Sequence, residues 1–253
     1  MVSPALLELA VQDVAGLQVA ARIGAARVEL CVALGSTGGL TPSIGLLEAV
    51  VAAAAATGQK SARGIGVHPL IRPRAGGFVY DDGELAVQVR DVQVAVAAGA
   101  SGVVVGALTP DHAVDAAAVA ALVDAADGRD VTFHRAIDTL DDPLTALDVL
   151  AGLGVRRVLT SGGARRSIDG VKRLRAMVAH AAGRVEIMAG GGVRPEDVAV
   201  LVDAGVDAIH VSAKGFVVDP GGVGAGSEGG YEVTDAKIAQ VTADALSSAG
   251  FRG

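Results

Sequence analysis

A chain of 253 residues with 51% apolar and 19% charged residues can bury a large core and stay soluble. Its formal net charge of −7 argues against a nucleic-acid duplex or an anionic membrane surface as the main partner. Cys31 is the only cysteine, which excludes an internal disulfide and a multi-cysteine metal cluster within one chain. Met1-Val2-Ser3-Pro4-Ala5 lacks the basic and apolar regions of a secretory leader, and no run reaches membrane-spanning length, so a cytoplasmic location is expected. Aromatic residues make up 2%, so the core must be built from Ala, Val, Leu and Ile, as suits a parallel sheet covered by Ala-rich helices.

Strand-like runs are predicted over residues 6–10, 27–31, 65–72, 102–106, 131–134, 157–160, 185–188 and 208–211. Helical spacing alternates with them over 13–23, 44–56, 84–98, 115–126, 142–153, 168–181 and 195–204, and a last helix is predicted over 234–246. Gly24, Gly99, Gly154 and Gly205 each stand just past a helix and lead into a strand. Eight such units of roughly 30 residues predict a (β/α)8 TIM barrel, one domain over residues 1–253. The alternative, an open doubly wound sheet, would put phosphate-binding glycines after the first strand. That strand ends in Val11-Gln12-Asp13 instead, and no nucleotide cofactor is expected. Residues 215–230 form a Gly-rich insertion between strand 8 and the last helix, read either as a lid on the carboxyl face or as a surface insertion.

The most telling stretch is Val131-Thr132-Phe133-His134-Arg135-Ala136-Ile137-Asp138, where an apolar strand breaks without a turn into an imidazole, a guanidinium and a carboxylate. Barrel enzymes carry their chemistry at such strand ends. Residues two apart share a face, so Glu8, Arg27, Glu29, Cys31, Arg72, Thr132, His134, Glu186 and His210 are expected to point inward, with Val28, Leu30 and Phe133 toward the helices. Charges inside a barrel must pair. For Glu8 and Glu186 an internal salt-bridge network is an equal alternative to function. Glu29, His134, Arg135, Asp138 and His210 are the candidate catalytic residues: Glu29 and His134 exchange protons, while Asp138 or Arg135 orients the imidazole and stabilises oxyanion charge. His68 reads as a core residue, and His112 and His180 fall in a loop and a helix end.

Anion binding has several candidates. Arg72-Pro73-Arg74 stiffens two guanidiniums into a clamp for carboxylate or phosphate, unless Arg72 is structural and Arg74 solvated. Gly190-Gly191-Gly192 follows strand 7, and Ser212-Ala213-Lys214 follows strand 8, the two positions where many barrels build a phosphate site. Tight strand-to-helix packing would also explain the glycines. Ser161, after strand 6, adds a hydroxyl to the same face. Neither a nucleophile elbow nor a paired-histidine zinc helix is present.

Together Val28-Glu29-Leu30-Cys31, Gly38-Gly39-Leu40-Thr41-Pro42-Ser43, Ile71-Arg72-Pro73-Arg74 with Gly76-Gly77, the Val131 to Asp138 stretch, Val158-Leu159-Thr160-Ser161-Gly162, Gly190-Gly191-Gly192-Val193 and His210 with Ser212-Ala213 resemble the copper homeostasis protein CutC family. The resemblance implies a TIM barrel, a cytosolic location, self-association as a homodimer or homotetramer, and a link to copper. Family members often carry a second cysteine near the end of the first strand, where this chain has Ala10. A Cu(I) site would therefore rest on Cys31 with help from His210 or Met188. The residues themselves point instead to a lyase, isomerase or aldolase acting on a small phosphorylated or sugar-like anion.

Overall fold

The computed structural model describes residues 5–57, 64–219 and 229–250. Eight parallel strands, β1 (Leu6–Val11), β2 (Arg27–Leu30), β3 (Gly66–Pro69), β4 (Gly102–Val105), β5 (Asp130–Phe133), β6 (Arg157–Thr160), β7 (Glu186–Ala189) and β8 (Ala208–Val211), run in the order β3-β2-β1-β8-β7-β6-β5-β4. The ring closes between β3 and β4 through a parallel bridge of Leu70 to Val104 and a 2.8 Å bond from the Ile71 N–H to the Val104 carbonyl. Closure settles the choice between a barrel and an open sheet.

The helices are α1 (Val14–Arg22), the short α2 (Leu34–Thr37), α3 (Ile44–Ala56), α4 (Asp82–Ala97), α5 (Ala116–Ala125), α6 (Pro143–Gly152), α7 (Val171–Ala181), α8 (Val198–Asp203) and α9 (Ala236–Ala249). Their starts are written in the sequence: Asp13, Ser43, Asp81, Asp115, Asp142 and Asp235 each cap with a side-chain oxygen, and Asp81 with Glu84 completes a capping box. Gly99 and Gly205 adopt φ of 93° and 87° past α4 and α8, a left-handed conformation that a β-carbon would strain. The short 3₁₀ turn at Arg135–Thr139 and α2 escape the periodicity because neither reaches two turns, and the helix expected over 195–204 opens as a 3₁₀ turn at Pro195–Asp197 before α8. No helix among the described residues is long and apolar enough to cross a membrane.

The Gly-rich insertion differs from a plain loop. Its flanks form an antiparallel pair, β9 (Lys214–Val218) with β10 (Gly230–Thr234), in which Phe216 faces Glu232. Residues 220–228, the middle of the expected lid, lie outside the described residues.

Strand parity divides the core in two. Leu9, Val28, Leu30, Phe133 and Ile187 join the apolar layer between sheet and helices. Inside the barrel only two small apolar clusters occur among the described residues, Cys31 with Leu70 and Val104, and Leu159 with Met188 and Ala208. Polar groups fill much of the rest, and its buried charges meet opposite ones: Arg27 Nε donates to Glu8 at 2.8 Å, and Arg157 reaches Glu186 at 2.6 Å and the Thr132 hydroxyl at 3.1 Å. Gly102 and Gly106 make room for imidazoles, since a β-carbon would stand 2.6 Å from His68 Cε1 and 2.2 Å from His134 Cε1.

Glu8 is fully buried and serves both Arg27 and His210. Glu8→Ala leaves two buried cationic partners uncompensated and is expected to cost about 3–5 kcal/mol, read from urea unfolding midpoints. A loss under about 1 kcal/mol would show that the interior charges do not hold the barrel together.

Candidate active site

A cleft of about 610 Å³ opens at the carboxyl ends of the strands, where the loops after β2, β3, β5, β6, β7 and β8 converge. Glu29, Arg72, His134, Arg135, Asp138, His210, Gly191, Gly192, Ser212 and Lys214, all candidates from the sequence, line it together. Arg165 lines it as well, an exposed residue of the loop after β6 that carries no strand or motif signal. A more open groove of about 680 Å³ beside α6 and α7 is lined by the exposed charges Asp141, Asp142, Asp169, Lys172 and Arg173 and gathers no buried ionisable group.

The first half of the cleft is a chain of three ionisable groups. Register places Glu8 opposite His210 on the neighbouring strand and Ala10 opposite Glu29, so both carboxylates approach one imidazole. His210 Nδ1 lies 2.8 Å from Glu8 Oε1, and its Nε2 lies 3.4 Å from Glu29 Oε2. Burial would push the Glu8 carboxyl up, but the His210 hydrogen bond and the charges of Arg27 and His210 hold it well below the usual carboxylate range. Burial likewise works against charge on His210, yet the Glu8 hydrogen bond and the charges of Glu29 and Glu8 raise its pKa. Glu29 is different: burial, aided by the Glu8 charge and only partly offset by His210, pushes it up to about 7. Two carboxyls that share one imidazole are thus pushed in opposite directions, Glu8 down by its cations and Glu29 up by burial. This separation of two similar groups is how a site prepares a proton carrier.

The imidazole beside Glu29 is therefore His210, at 3.4 Å, rather than His134. Nor do Arg135 and Asp138 orient the His134 ring. Asp138 accepts from the Arg135 Nε at 2.7 Å, the Thr160 hydroxyl at 2.5 Å, the Ser161 N–H at 3.1 Å and hydroxyl at 2.9 Å, and the Gly163 N–H at 3.1 Å. These bonds fasten the 3₁₀ turn after β5 to the loop after β6 and hold Arg135 at the cleft. Ser161 is fully buried beneath that guanidinium, donating toward the Ala164 carbonyl or Asp138, and so supports the cleft without lining it.

The second half gathers backbone N–H groups and cations. Gly191 and Gly192 have φ of 114° and 60°, and their carbonyls accept from Ser167 and Arg166. The N–H groups of Gly191, Gly192 and Val193, and those of Ser212 and Ala213, donate no hydrogen bond among the described residues. A β-carbon on Gly191 would stand 2.9 Å from the Arg135 Cζ, so only glycine lets that loop meet the guanidinium. Lys214 adds a cation, shared with Glu232 at 3.3 Å. Gly190 instead serves packing, against Leu159 and His210. Arg74 does not join Arg72 in a clamp: it turns outward to Glu84, the Gly77 and Val79 carbonyls and the Tyr80 ring. Arg72 stays inside and spends its terminal nitrogens on the carbonyls of Thr37, Gly39 and Gly76.

A (β/α)8 barrel with ionisable groups gathered at its carboxyl face is the class of protein this geometry defines. The profile of the CutC family matches residues 5–215. A CutC family protein of Agrobacterium fabrum is 46% identical over 210 residues, 83% of this chain and 79% of that protein. A solved Streptococcus agalactiae CutC, named for copper homeostasis, is 33% identical with a TM-score of 0.75, covering 81% of this chain and 97% of its own. A structure described as an aldolase, QR15, shares the fold alone, at a TM-score of 0.60 and 15% identity over 81% of this chain and 89% of its own. The chain belongs to the CutC family.

Copper fits the residues poorly. Cys31 is fully buried beside Leu70 and Val104, and burial together with the nearby Glu29 charge pushes its thiol far above the usual range. The Met188 sulfur lies 3.7 Å from the Arg27 guanidinium. Glu8, Glu29 and His210 could close around an ion, with ligand atoms within 4.8 Å of one another. They offer hard oxygens and an imidazole already engaged on both nitrogens, whereas Cu(I) favours sulfur. Cu(I) competition against a chelating dye is expected to give the same affinity for wild type and Cys31→Ala. Tight binding lost on that substitution would reinstate the thiolate.

Proposed function

We propose that this CutC-family chain is an acid–base enzyme acting on a small phosphorylated or sugar-like anion, and that copper is not its working ligand. The observation that carries this reading is Glu29, a buried carboxyl pushed up to about 7 on the wall of a cleft whose other wall presents free backbone N–H groups and Arg135. A carboxylate poised there removes a proton from an acidic C–H or O–H and returns it, while His210, charged against Glu8, stays beside it as the stabilising cation. The Gly191 to Val193 amides, Ser212, Arg135, Arg165 and Lys214 hold the anionic end and fix the substrate's direction. Isomerisation, aldol cleavage and elimination all begin with such a transfer and need no redox partner.

Proton transfer is testable before the substrate is known. A mixture of phosphorylated sugars, hydroxy acids and keto acids incubated with the protein in D₂O is expected to yield at least one compound that gains deuterium, detected by mass. Glu29→Gln should slow that exchange by about 10²-fold or more. Because the base is the ionised form, the wild-type rate should rise with pH through about 7 and level off above it. Exchange that is absent, or equal in Glu29→Gln, would refute the assignment.

A further inference from the structure

With Glu29 and His210 handling the proton, His134 holds a position that acid–base exchange does not explain. Its ring is 5% exposed, packed against Gly106 and 4.8 Å from the Phe78 ring centroid, in the wall of the cleft. Nδ1 accepts the Ala136 N–H at 3.2 Å, so a neutral ring carries its proton on Nε2. Nε2 is buried and has no protein partner among the described residues. Capping of the 3₁₀ turn accounts for Nδ1 and leaves Nε2 unexplained. Burial and the Arg72 charge push this histidine down to about 3, which makes it a permanent neutral donor. Arg72 lies beside it with its terminal nitrogens taken by carbonyls, and the buried Tyr80 hydroxyl, which has no other partner among the described residues, is hydrogen-bonded toward its guanidinium. That guanidinium and the His134 ring both lie against Phe78, at 5.3 Å and 4.8 Å.

A buried N–H donor without an acceptor is costly unless a ligand oxygen satisfies it. We propose that His134 Nε2–H receives the carbonyl oxygen of the substrate, which defines the substrate class as small anionic aldehydes or ketones with an acidic C–H next to the carbonyl. This rests on the acid–base reading above. Glu29 takes the proton from that carbon, the C–H electron pair forms the C=C bond of an enolate, and the carbonyl π pair moves onto oxygen, whose negative charge the His134 donor meets. Return of the proton from Glu29 to the same carbon reverses the step and, in D₂O, leaves deuterium there with no further reactant. A neutral imidazole suits this task because its donor is present in every protonation state of Glu29.

The test is nuclear magnetic resonance of protein labelled with ¹⁵N-histidine, alone, with inorganic phosphate, and with 2-phosphoglycolate, whose carboxylate stands in for the enolate oxygen beside a phosphate tail. One ring is expected to remain the neutral Nε2–H tautomer from about pH 8 to about pH 5, and to be missing in His134→Asn. Its Nε2 proton should shift with 2-phosphoglycolate and not with phosphate. His134→Asn, which keeps a capping acceptor, should weaken 2-phosphoglycolate about tenfold and leave phosphate unchanged, and His134→Gln should recover part of the loss. Absence from the wild-type spectrum of any ring that stays neutral with its proton on Nε2 down to about pH 5 overturns the proposal even if no variant folds. Equal 2-phosphoglycolate affinity in His134→Asn overturns it while leaving the anion cleft standing. Failure of wild type to bind either anion removes the cleft reading and the proposal together.

Discussion

Everything distinctive in this barrel follows from one buried carboxylate. Glu8 lies at zero exposure between Arg27 and His210, and both contacts measure 2.8 Å. Taking an anion that deep is unfavourable unless cations meet it, and two do. Its hydrogen bond and charge raise the His210 pKa against the pull of burial, and beside burial, the larger cause, its charge also raises that of Glu29. A structural ion network at the centre of the barrel and a titratable group at its mouth are parts of one arrangement.

Around that chain the loops supply direction. Asp138 gathers five donors and so locks Arg135 against the glycine loop after β7, while the carbonyls of that loop are held from behind by Ser167 and Arg166. The cleft therefore has Arg135 and the glycine loop on one side and the Glu29–His210 pair on the other. The same organisation explains why a copper role has little chemical footing here: the only thiol sits in an apolar cluster, and the cluster with ligand spacing is already neutralised internally.

Much of this was legible in the sequence. Alternating apolar periods and glycines past helix ends gave the eight-unit barrel, because both signals are local and strong. Parity correctly sent Glu8, Glu29, Arg72, His134 and His210 inward, since a residue's face depends only on counting by two. Partnership is what parity could not supply. Whether Glu29 meets His210 or His134 depends on register around a closed ring, where β1 and β8 become neighbours although 202 positions separate Glu8 from His210. Arg74 went astray for a related reason: the loop after β3 turns between Arg72 and Arg74, and Glu84, a helix-capping residue, captures the second guanidinium. Arg165 and the hairpin of β9 and β10 carry no periodic signal, so only the folded chain reveals them.

The account stands or falls on the separation of Glu8 from Glu29. Titration of the glutamate side-chain carboxyl carbons by ¹³C resonance, assigned with Glu29→Gln, measures it directly. One buried glutamate should titrate at about 7 and vanish in that variant, and another should remain ionised below the ordinary carboxylate range. Two buried glutamates titrating together at about 4 to 5 would contradict the central claim.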